Sequence, residues 1–187
     1  MSEAPAPAPA PATAFVITVP EAEPLVSGLR ARFDPSAALG VPAHVTVLHP
    51  FMPLAEVTPE VLERVGTALR GMQTFDFVLG RVARFPGVLY LAPEPAAPFV
   101  ALTDALIRAF PQYPPFGGAH DRIVPHLTVA QGDEPMLQQA EARLRTALQT
   151  HGPINAPCRE LCLLHNAGGP WVQWQRLPLQ IEGAPVR

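Results

Sequence analysis

The sequence predicts an α+β protein of two pseudo-symmetric lobes, each an antiparallel-rich sheet with outer helices, facing each other across a central cleft. Three observations predict it. Short β-branched runs alternate with helical spacings in the order strand-helix-strand-helix-strand, then strand-helix-strand-helix-strand-strand. Each of these halves carries one His-x-Thr in its second strand, at His44/Thr46 and at His126/Thr128. The chain of 187 residues, 48% hydrophobic and 16% charged, suffices for one well-buried domain or two small lobes sharing an interface.

Met1 to Thr13 is an Ala-Pro repeat, expected to be a disordered, extended tail that leaves 14–187 as a single bilobal domain. Phe15 to Val19 (FVITV) reads as the first strand, closed by Pro20. Leu25, Val26, Leu29 and Phe33 follow at helical spacing, and Pro35 ends that helix. Ala43 to Leu48 is the next strand. Thr58-Pro59-Glu60 opens a helix with a capping hydroxyl and a first-turn proline, and Val61, Leu62, Val65, Ala68 and Leu69 form its apolar stripe. Strands follow at Phe75 to Val82 and, after a Pro86-Gly87 turn, at Val88 to Leu91. Phe99, Leu102, Leu106 and Phe110 mark a helix stopped by Pro111. A Pro/Gly-rich loop, Tyr113 to Asp121, leads into a strand from Ile123 to Ala130. Leu137, Ala140, Leu144 and Leu148 form the last helix, ended by Gly152-Pro153. Strands Glu160 to His165 and Trp171 to Leu177 close the chain around an Asn-Ala-Gly-Gly-Pro turn.

Composition narrows the chemistry. The net charge of −3 lacks the basic balance of a general nucleic-acid coater, yet allows a small substrate or one RNA end. All 13 basic residues are Arg, so neither a lysine Schiff base nor a nucleotidyl-lysine intermediate is available. No G-x-x-x-x-G-K-[ST] loop is present. Cys158 and Cys162 are too few for a disulfide scaffold and are expected to be buried thiols. No apolar run approaches the roughly 20 residues of a membrane helix, and the N-terminus has no secretory pattern. A cytoplasmic monomer is the expectation, with no membrane partner and no cofactor.

The two motifs read His44-Val45-Thr46-Val47 and His126-Leu127-Thr128-Val129. Strand side chains alternate, so each strand offers an imidazole and a hydroxyl on one face, roughly 7 Å apart, and buries an apolar face behind them. The 6 His in 187 residues, with ten Thr, yield about 0.3 His-x-Thr by chance, and roughly 0.07 when apolar residues must follow both. Two copies in equivalent strands therefore carry information. Displacement at phosphorus suits them: the attacking and leaving oxygens lie roughly in line, so a base is needed on one side and an acid on the other. Imidazole serves both roles near pH 7, and the Thr hydroxyls can bond the non-bridging oxygens where charge accumulates.

Paired His-x-Thr-x motifs resemble those of the 2H phosphoesterases, and PAHVTVLHPF and PHLTVA look like the 2'-5' RNA ligase and RNA 2',3'-cyclic phosphodiesterase branch. The resemblance covers nearly the whole chain after the tail. It implies a bilobal fold with a central cleft and hydrolysis of 2',3'-cyclic phosphates of RNA ends or nucleotides to a 2'-phosphate. It also implies that His44 is the proton donor and His126 the proton acceptor; some relatives run the reverse 2'-5' joining of RNA. One departure stands out. Several members of the branch carry Arg shortly after the second motif, where this chain has Gln131, and Arg122 is the candidate replacement cation.

Phe51 and Tyr90 are candidates for stacking on a base, with core packing as their other reading. His49, five residues after His44, is a candidate for the cleft rim, although as a strand residue it is read as pointing away from His44. A metal enzyme drawing on His44, His49, His120, Asp121 and His126 is disfavoured because their spacing matches no metal motif. The remaining alternative is a non-catalytic RNA- or nucleotide-binding module of the same fold, which a turnover assay separates.

Overall fold

In the computed structural model, residues 12–118 and 123–181 are described, and the α+β expectation holds. Strands β1 (Ala12–Thr18) and β2 (His44–Leu48) pair antiparallel. Strands β3 (Phe75–Phe85), β4 (Val88–Glu94), β5 (Leu127–Gln131) and β6 (Ile154–Cys158) follow, then β7 (Glu160–Asn166) and β8 (Val172–Pro178). The helices are α1 (Glu23–Phe33), the single turn α2 (Pro35–Ala38), α3 (Pro59–Ala68), α4 (Ala97–Ala109) and α5 (Glu134–His151). Local chemistry accounts for their starts. The Thr58 hydroxyl caps α3 by accepting from the Val61 N–H, and the Asp133 carboxylate caps α5 by accepting from the Met136 N–H. Each has a proline in its first turn.

The strands form two four-stranded sheets, ordered β2-β1-β7-β8 and β5-β4-β3-β6. The sheets match in order, but not as contiguous halves of the chain. Strands β7 and β8 leave the second half and return to the first sheet, where β7 pairs with β1 from Ala12↔Asn166 to Val16↔Cys162. In both sheets the His-x-Thr strand stands at an edge, and these two edges, β2 and β5, meet.

Several boundaries differ from the sequence reading, three of them for clear reasons. Strand β1 begins at Ala12, two residues inside the expected tail, and Thr13 is fully buried with its hydroxyl donating to the Met52 carbonyl. The rest of that tail lies outside the described residues. Strand β6 was not expected, because Pro157 interrupts its run; it lies at a sheet edge, where a missing donor is tolerated. Strand β5 starts at Leu127 rather than Ile123, since Pro125 has no N–H to give to a ladder.

One continuous apolar core runs beneath both sheets and takes in α1, α3, α4 and α5. Helix α1 packs on β5 and α4 packs on β2, so each lobe's helix supports the other lobe's motif strand. Only a small second cluster, Ala14, Val16, Val41, Cys162 and Leu164 with Trp171, lies apart from it. Both cysteines are free and buried, and burial pushes the Cys158 thiol up to about 12.

Candidate functional site

The two motif strands carry the same irregularity. In β2, Thr46 pairs with Val16 and Leu48 with Phe15, which leaves Val47 as an extra residue. In β5, Thr128 pairs with Tyr90 and Ala130 with Leu89, which leaves Val129 extra. Each is a β-bulge that spends two successive apolar residues on the core side and resets the alternation. Val47, Leu48, Val129 and Ala130 all belong to the core. The next polar residues, His49 just past β2 and Gln131 at the end of β5, therefore join their motif His and Thr at the cleft. The carbonyl of bulge residue Val47 accepts from the Thr103 hydroxyl of α4 at 2.9 Å, beneath the sheet.

The rings of His44 and His126 are held identically. His44 Nδ1 lies 2.8 Å from the Pro42 carbonyl oxygen, and His126 Nδ1 lies 2.7 Å from that of Val124. A carbonyl can only accept, so each ring donates through Nδ1, and Nε2 is left as the reactive nitrogen. Edges of Phe85 and Tyr90, themselves stacked at 4.3 Å, contact the His126 ring at 5.2 and 5.4 Å between centroids. His44 has a different surrounding. Desolvation lowers its pKa from 6.5 to about 4; Arg30 and His126 push the same way, while the Pro42 hydrogen bond and Asp34 oppose.

Arg30 and Asp34 form a buried ion pair at the end of α1, with side chains 3% and 0% exposed. Arg30 also donates to the Ser36 hydroxyl at 3.2 Å and the Val41 carbonyl at 3.1 Å. Asp34 accepts from the Ser36 hydroxyl at 2.8 Å and, across the lobes, from Gln131 Nε2 at 3.4 Å. The sequence reading passed over this pair. Its signal was an Arg and an Asp one helical turn apart beside apolar Leu29 and Phe33.

A cleft of about 320 Å³ collects these groups. The first lobe lines it with His44, Thr46 and His49, with Ser36 and Val41 of the α2 segment, and with Ala14, Val16, Leu164 and Trp171. The second lobe adds His126, Thr128, Gln131 and Val88, and Phe116 completes the rim. The four motif residues thus meet in one cleft. His49 joins them at the cleft, as its rim candidacy suggested, but on the same face as His44 rather than pointing away from it.

For Phe51 and Tyr90 burial agrees with the core-packing reading. Phe51 is 4% exposed and packs on Phe15, Phe110 and Tyr113, because it follows β2 on the core side. Tyr90 is 6% exposed and covered by Phe85 and His126, so it positions that ring rather than meeting a base. Arg122, with His120 and Asp121, lies outside the described residues. Among the described residues no group of three His, Cys, Asp or Glu could hold a metal ion, and no helix is long and apolar enough to cross a membrane.

Comparison with known proteins adds a family and a fold. The model of the 2'-5' RNA ligase superfamily matches residues 18–170. E. coli LigT complexed with 3'-AMP is similar at a TM-score of 0.60 and 18% identity, over 90% of this chain and 98% of that one. TT0787 of Thermus thermophilus is similar at a TM-score of 0.59 and 18% identity, over 91% of this chain and 99% of that one. A search of curated proteins found no match. At these identities the solved structures speak for the fold alone.

Proposed function

This chain belongs to the 2'-5' RNA ligase superfamily, and on that premise we propose that it is a metal-independent phosphodiesterase that opens 2',3'-cyclic phosphates. Its substrates are RNA ends or free cyclic nucleotides, and its product is the 2'-phosphate. One observation carries the reading: two imidazoles, each fixed through Nδ1 to a carbonyl two residues earlier, line one cleft from opposite lobes with a Thr beside each.

The reaction needs few parts. Water attacks phosphorus as the bond to O3' breaks, and the two oxygens lie roughly in line, so a base and an acid must stand on opposite sides. His126 accepts the water proton at Nε2, and His44 delivers a proton to the departing O3'. Thr46 and Thr128 donate to the non-bridging oxygens as their charge grows. His44 must be protonated to play this part. Its value of about 4 reflects lost water and the nearby Arg30, and a bound phosphate anion acts against both by favouring the charged ring.

The test is turnover of 2',3'-cyclic AMP after exhaustive chelation, with the product identified. The expected result is undiminished hydrolysis to 2'-AMP. Activity that disappears with the chelator and returns with zinc or magnesium sinks the two-His mechanism. Binding with no turnover returns the cleft to a recognition module.

A further inference from the structure

The symmetry of the two bulges singles out His49. It stands five residues after His44 as Gln131 stands five after His126, and both reach the cleft by the same reset of alternation. Yet the two are held differently. Gln131 is tied through Nε2 to Asp34. The His49 ring is half-buried against Trp171, with centroids 5.8 Å apart, and neither ring nitrogen has a hydrogen-bond partner among the described residues. Both nitrogens are therefore available to a ligand that enters the cleft. Its backbone is fixed, since its carbonyl accepts from the Phe116 N–H at 2.6 Å.

We infer that His49 is a substrate-binding residue, a third imidazole of the cleft that donates a charged hydrogen bond to a phosphate oxygen of the substrate. This rests on the phosphoester reading above. No Asp, Glu or Arg lines the cleft among the described residues, so a phosphate brought there meets imidazole, hydroxyl and amide groups. Of these, only the imidazoles can acquire positive charge. His44 and His126 are engaged in proton transfer, so among the described residues of the cleft His49 is the imidazole left to balance the anion.

Burial lowers the His49 pKa, and no charged side chain contributes to that shift. Among the described residues, the titratable groups sharing its cleft are His44 on the preceding strand and His126 on the opposite lobe; Trp171 and Phe116, which approach from the other sides, carry no charge. The ring is thus neutral near pH 7 until an anion arrives. Phosphate binding is then accompanied by proton uptake at His49.

The test uses the full chain and its His49→Phe variant, which keeps a ring against Trp171. Binding of 2'-AMP, of inorganic phosphate and of adenosine is measured by calorimetry at pH 6 and pH 8. Two buffers of different ionisation enthalpy count the protons taken up. His49→Phe should weaken 2'-AMP and phosphate about tenfold at pH 6, lose about one proton of uptake, and leave adenosine unchanged. His49→Arg should restore phosphate affinity with a flatter pH dependence. Unchanged affinity and proton uptake in a folded His49→Phe protein overturn the inference, even if the cyclic phosphate is hydrolysed. Phosphate binding that depends on His49 in a protein without turnover sustains it while the catalytic reading falls.

Discussion

At about 4, the His44 ring is neutral at pH 7, so the proposed donor role requires a phosphate's charge to raise that value. The roles of the two rings can be separated through the leaving group. A nitrophenolate departs readily as an anion, so the acid becomes nearly dispensable while the base is still required. His44→Ala should lose about 10²- to 10⁴-fold on 2',3'-cyclic AMP and recover most of that on a nitrophenyl phosphodiester. His126→Ala should stay impaired on both. Steady-state kinetics with the two substrates read this directly, and rescue of His126→Ala instead would exchange the roles. The aromatic edges of Phe85 and Tyr90 lie only on His126, so the two rings are not equivalent even though their Nδ1 partners are.

Among the elements, the β2 bulge is the device that aims the site, and α4 supports it. A bulge leaves a backbone group outside the ladder, and a buried unpaired carbonyl costs free energy. Thr103 meets that need by donating to Val47 O from the core side, where it is 2% exposed. Thr103→Val keeps the shape and removes the donor. It should destabilise the protein by about 1–3 kcal/mol, read by urea unfolding, and lower kcat on the cyclic nucleotide. Thr103→Ser should retain most of both. Wild-type kinetics with Thr103→Val would mean the bulge holds His49 and Thr46 without this bond. On the other lobe α1 plays a related part, carrying the Arg30–Asp34 pair that bonds Ser36 and Gln131 on the cleft wall.

For the molecule as a whole, the buried histidines set an acid limit on stability. Both His44 and His49 have folded pKa values below 6.5. As pH falls through 6.5, the unfolded chain takes up protons that the folded protein refuses. Stability therefore drops from about pH 6.5 downward, through about 4 for His44. The carboxylates Glu134 and Glu141, lowered from 4.5 by Arg84 and its neighbours, lose their contribution only at more acid pH. Urea midpoints at pH 7.5, 6 and 5 should fall steadily for the wild type and less for a His44→Gln/His49→Phe double variant. Equal slopes in the two proteins would assign the acid sensitivity elsewhere.

Much of the fold and the four motif residues could be read from the sequence, because they depend on local rules. Two His-x-Thr strands follow from a period of two, the capped helices from Thr58-Pro59 and from an apolar spacing of three and four, and the free thiols from cysteine count. Positions that depend on a break in those rules could not be read. His49 was assigned to the wrong face because strict alternation was carried past Val47, although Val47-Leu48 and Val129-Ala130 were visible pairs of adjacent apolar residues. Strand β6 was hidden by a proline that only an edge position excuses. Phe51 and Tyr90 allowed both stacking and core packing, and contacts with Phe15, Phe110 and Tyr113 for the one, and with Phe85 and His126 for the other, bury them. Arg30 and Asp34, one helical turn apart, were passed over because their burial comes from tertiary packing. Local propensity thus determined which elements form and which side chains face together within a strand. Long-range packing decided which of those faces became the cleft, because burial and desolvation come from residues far away in the chain.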